Sequence, residues 1–105
     1  MGNSPKQRFL KDIEESIRIN SQEIEMNRGF KVESEEKISA YLEVEKTLSE
    51  SPDDQILKHY IQRNVLHWKK LVSEYDGSIF DFQKVLESIA SIRPNLEKRK
   101  EDLSL

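Results

Sequence analysis

No cysteine occurs among the 105 residues. That excludes a disulfide framework, thiolate metal sites and a cysteine nucleophile. Glycine and proline are scarce, three of each, too few for the many turns of a β-sandwich. Gly2, Gly29 and Gly77 stand apart, so no glycine-rich loop exists to cradle a phosphate. No apolar run approaches the ~20 residues of a membrane span, and no apolar leader core is read near the N-terminus. A basic excess is missing as well. Lys plus Arg number 17 against 20 Asp plus Glu, a net charge of −3. What remains is a chain that is 35% apolar and 35% charged. It is enough for one modest core, so a single helical domain over 1–105 is expected. A cysteine-free chain of this kind fits a reducing, cytoplasmic setting.

Turn signals cluster at Asn3-Ser4-Pro5, Asn27-Arg28-Gly29, Ser49 to Asp54 and Asp76-Gly77-Ser78, with Pro94 as a further break. The segments between them carry helical periodicity, and none alternates long enough for a strand. Ser4-Pro5 and Ser51-Pro52 read as helix starts: serine caps the free N–H groups, and proline at the first position loses no bond. Gly29 reads as a C-cap. Asp76-Gly77 reads as a stop, with Ser78 capping the next helix. These signals predict helices over about 5–27, 33–49, 52–75 and 78–92. Residues 94–105 form a Pro-kinked or separate C-terminal helix, because Leu96 and Leu103 stay in phase with Val85 and Ile92. The expected fold is all-α, an antiparallel bundle of four main helices. A single long helix through Gly29 in a coiled-coil dimer is the alternative. It is disfavoured because Asn20 and Asn27 occupy positions that a long two-stranded coil would fill with leucine.

The third segment is the most hydrophobic, with Leu57, Tyr60, Ile61, Val65, Trp68, Leu71, Val72 and Tyr75 on its face, so it should centre the core. Asn64 sits within that face, either touching solvent or as a polar group specifying register or oligomer state. The first segment is two-faced. Leu10, Ile13, Ile17 and Ile24 form one stripe; Ile19, Met26 and Phe30 fall nearly opposite at ~100° per residue. Packing between two neighbouring helices accounts for both stripes, as does a reading in which Met26 and Phe30 belong to the turn. The competing reading makes Ile19, Met26 and Phe30 a partner-binding seam, rimmed by Asp12, Glu15 and Glu23.

Catalytic patterns fail in turn. His59 and His67 are on different faces and cannot share a metal. Neighbouring acids such as Glu14-Glu15 and Glu35-Glu36 point apart on a helix and make no acid–base dyad. No catalytic, cofactor-binding or metal-ligating residue is assigned, no small-molecule substrate is inferred, and no enzyme activity is expected. The expected role is non-catalytic protein binding, as an adaptor, chaperone, assembly factor or inhibitor, through apolar helix faces to a partner or a second copy. The alternative is nucleic-acid binding through Trp68-Lys69-Lys70 and Lys98-Arg99-Lys100. It is weakened by the acidic balance of the whole chain.

Overall fold

The computed structural model describes residues 4–98. Two long helices make up almost all of them: α1, Pro5–Glu45, and α2, Pro52–Glu97, joined by loop 46–51. The expected bundle of four main helices is therefore corrected to two. The helices expected over 5–27 and 33–49 are one, and those over 52–75 and 78–92 are one. Of the C-terminal extension, residues up to Glu97 continue α2; residues 99–105, including Leu103, lie outside the described residues.

The reason lies at the two glycines. Gly29 and Gly77 are both helical and neither has positive φ. Each is exposed, and a Cβ added at either would meet nothing within 4 Å. A glycine inside a helix costs only ~1 kcal/mol relative to alanine. Continuing the helix through it retains the backbone hydrogen bonds and keeps the buried residues on either side in phase. Pro94 also lies inside a helix. It sits on the exposed side, where the Ala90 carbonyl that loses its donor can be solvated. Glu33, Glu35 and Glu36, which would open a helix over 33–49, are instead mid-helix.

Both Ser-Pro starts are where the sequence places them. At α1 the Ser4 hydroxyl accepts from the Gln7 N–H at 3.2 Å, and the Gln7 side chain accepts from the Ser4 N–H at 3.2 Å. This is a reciprocal capping box. At α2 the Ser51 hydroxyl accepts from the Asp54 N–H at 3.3 Å. The Asp54 carboxylate accepts from the Ser49 N–H at 2.7 Å and its hydroxyl at 2.6 Å. These bonds hold the Asp54 carboxyl below its ordinary range. Glu50 is lowered too, chiefly by the Lys58 ammonium at 2.9 Å, with Gln55 adding a bond.

These directions set the pH dependence. A carboxyl with a lowered folded pKa contributes stability above its unfolded pKa, and that contribution is lost as pH falls through the folded value. The melting temperature should therefore hold from about pH 7 to about 5 and drop below about pH 4. Circular dichroism melts across that range test this, with Asp54→Asn expected to melt lower at neutral pH and to show a shallower acid drop. Glu50 is exposed and Asp54 only half-buried, so added salt should shrink the difference.

Within α1 the less exposed residues recur every third or fourth position from Leu10 to Glu45; within α2 they do so from Asp54 to Leu96. That 3.5-residue period is the pattern of a two-helix seam. The chain groups into two compact units. In the first, residues up to Glu25 of α1 lie with residues from Ile79 of α2. Ile13, Ile89 and Leu96 are buried together there, with Leu10 and Ile17 packed on them. Arg93 of this unit lies 3.6 Å from Glu14 across the seam and 3.0 Å from Glu97 on its own helix. In the second unit, Met26–Ser78, Ile61, Val65 and Ser34 are buried. The Ser34 hydroxyl donates to the Phe30 carbonyl at 2.8 Å, so its burial leaves no unpaired polar group. Lys31 pairs with Asp76 across the seam at 2.8 Å, and this pairing raises the Lys31 pKa.

Candidate interaction surface

A two-helix seam leaves much apolar surface uncovered. Only six hydrophobic residues are buried among those described: Ile13, Ile24, Ile61, Val65, Ile89 and Leu96. Many more large ones are exposed, including Leu57, Tyr60, Val85 and Ile92, which the sequence reading assigns to core faces. With one helix beside each helix rather than several, those flanks have nothing to pack on.

In the second unit five of the nine exposed large apolar residues, Met26, Phe30, Val44, Leu57 and Tyr60, gather on one edge. Phe30, Lys37 and Val44 each precede a seam residue of α1 by one position; Leu57, Asn64 and Leu71 do the same on α2. In antiparallel helices these flanks fall on the same side. Contacts across the seam agree. The Phe30 and Tyr75 rings lie 5.6 Å apart, Tyr41 meets Tyr60 edge-on at 6.5 Å, and the Lys37 ammonium sits 4.0 Å over the Trp68 ring. Lys37, Ala40, Tyr41, Val44 and Trp68 line an open groove of about 340 Å3 there. The opposite edge carries Arg28, Glu35, Lys69 and Asp76, with Val32, Leu42 and Leu66 as apolar members. In the first unit the corresponding apolar flank holds Phe9, Ile19, Val85 and Ile92, all exposed.

All three predicted partner-binding residues, Ile19, Met26 and Phe30, are exposed, Ile19 in the first unit and the other two in the second. Packing between two neighbouring helices, the preferred explanation of that stripe, is corrected, because α1 has a helix along its seam side only. Of the expected acidic rim, Glu15 is engaged by Arg18, which lowers its pKa. Asn64 is half-buried on the flank of α2, and its amide donates to the Tyr60 carbonyl at 2.8 Å within its own helix. Val44, Leu57 and Tyr60 belong to the exposed edge, although the sequence reading places Leu57 and Tyr60 on a core face and names none of the three as partner-binding. Their signal is a position beside the seam rather than on it.

Of the two basic clusters, only Trp68, Lys69, Lys70 and Lys98 fall among the described residues. Trp68 is half-buried in the seam with a ring face covered by Lys37, while Lys69 and Lys70 point to different sides of α2. Lys98 is exposed, and Arg99 and Lys100 lie outside the described residues. Among the described residues no group of three or more His, Asp or Glu is placed to hold a metal. No buried side-chain polar atom among them lacks a hydrogen bond. None of their helices is long and apolar enough to cross a membrane. No family model, curated protein or solved structure matches the chain.

Proposed function

We propose that this chain is a non-catalytic protein-interaction module that presents an apolar helix edge to another helical surface. The observation that carries the proposal is the concentration of exposed large apolar residues on one edge of the second unit, which holds Met26, Phe30, Val44, Leu57 and Tyr60, five of that unit's nine. Exposed apolar patches rimmed by polar residues mark interaction sites, and aromatic residues and methionine are the types enriched in them. Methionine adapts its shape to a partner; the charged residues around the edge would steer approach and select among partners. A cytoplasmic location is part of the same proposal.

The test compares the wild-type chain with the double variant Ile19→Ser, Met26→Ser. Both positions are exposed, so each change should alter stability by only about 0.5 kcal/mol. Helicity and melting should stay near wild type. Capture of a binding protein from the cells that make this chain should fall about tenfold or more. Capture that is indifferent to the double change would place the binding surface elsewhere. Loss of helicity would mean that the stripe is core.

A further inference from the structure

We infer that the occupant of the second unit's apolar edge is a second copy of this chain, with α1 packed antiparallel against α1 of the partner copy about a two-fold axis. The inference rests on the interaction role proposed above and gives it a partner.

Along this edge α1 presents Met26, Phe30, Glu33, Lys37, Ala40 and Val44. Their intervals are four, three, four, three and four, the same read in either direction. A two-fold axis at the level of residue 35 therefore sets the edge against itself without any slip. An interface between identical patches requires that residue i meets j while j meets i. The pairs created here are complementary in size and in charge. Phe30 meets the small Ala40 of the other copy, Met26 meets Val44, and Glu33 meets Lys37, each pair occurring twice. Neither Glu33 nor Lys37 has an ion-pair partner within the chain among the described residues; Lys37 rests only on the Trp68 ring. Both are exposed and available.

Met26, Phe30 and Val44 of this face are between 43% and 52% exposed, and Leu57 and Tyr60 of α2 border it at 48% and 59%. The opposite edge carries fewer large apolar side chains, Val32, Leu42 and Leu66, among mixed charges.

Light scattering and sedimentation of the purified chain test the inference, with circular dichroism confirming that each variant keeps its helices. The wild type should sediment as a dimer of about 25 kDa, twice the 12.4 kDa chain. Glu33→Lys alone, or Lys37→Glu alone, places like charges together twice and should weaken the dimer at least about tenfold. Combining both changes in one chain restores opposite charges and should restore the dimer to within a few-fold of wild type. Mixing the two single variants should produce the heterodimer, since each then meets its complement. A dimer that is indifferent to these swaps would overturn the two-fold arrangement. A monomeric wild type that still captures another protein through Ile19 and Met26 would overturn the second copy and leave the interaction role standing. A monomer that captures nothing would remove both.

Discussion

Truncation of Ile61 to alanine should lower the unfolding free energy by about 2–5 kcal/mol, the range for deleting a buried isoleucine side chain. Ile61 is the most buried hydrophobic residue in the structure, at 4% exposure, and faces the seam one turn from Val65. A seam between two helices is narrow, so few neighbours can move in to fill the space left. Stability in a chain of this size is only about 5–15 kcal/mol, and the loss should be plain in urea titrations as a lower midpoint with similar slope. Leu66, on the same helix and 69% exposed, serves as the control: Leu66→Ala should change stability by only about 0.5 kcal/mol. Protein concentration must be held constant, because self-association stabilises by mass action. Equal responses at the two positions would contradict the seam.

The helix starts at Pro5 and Pro52 are legible because their signal is local. A serine hydroxyl caps the free N–H groups and a proline opens the first turn at both starts, whatever the rest of the chain does. The stops at Gly29 and Gly77 are misread because their signal is only conditional. A glycine ends a helix where tertiary packing asks for positive φ; on the outer face of a continuous helix it is simply a weak residue. The unbroken period is present in the sequence, but several of its members are polar: Asn20, Asn27, Lys31, Ser34 and Glu45. Reading residue type rather than register makes these positions look like breaks. In the structure they are half-buried or buried, and those with visible partners satisfy themselves at short range. The Asn20 amide donates to the Ser16 carbonyl at 2.7 Å, and Lys31 reaches Asp76.

The candidate surface is legible in part for the same reason. Ile19, Met26 and Phe30 stand out because they oppose an obvious apolar stripe. Val44, Leu57 and Tyr60 are adjacent to seam residues, and a helix wheel drawn for a four-helix bundle assigns them to the core. Only the number of helices separates the two outcomes: a bundle covers these flanks, and a pair leaves them bare. The function of the edge therefore depends on the two-helix architecture.

Gly29 tests that architecture most directly, through paired substitutions followed by thermal melting at one protein concentration. In a continuous α1, Gly29→Ala adds a better helix former where its Cβ has free space, and should stabilise by about 0.5–1 kcal/mol. At about 4–8 °C per kcal/mol for a small domain, the melting temperature should rise by several degrees. Gly29→Pro should do the opposite and do more. Its ring would collide with the Glu25 carbonyl and remove a helical hydrogen bond, at a cost of ~3 kcal/mol or more. If Gly29 were instead a left-handed cap between two separate helices, the alanine Cβ would clash with its own backbone and both variants would destabilise. A rise in melting temperature for Gly29→Ala together with a large fall for Gly29→Pro is the predicted result. A fall for Gly29→Ala would contradict the continuous helix on which the seam and its exposed edge depend.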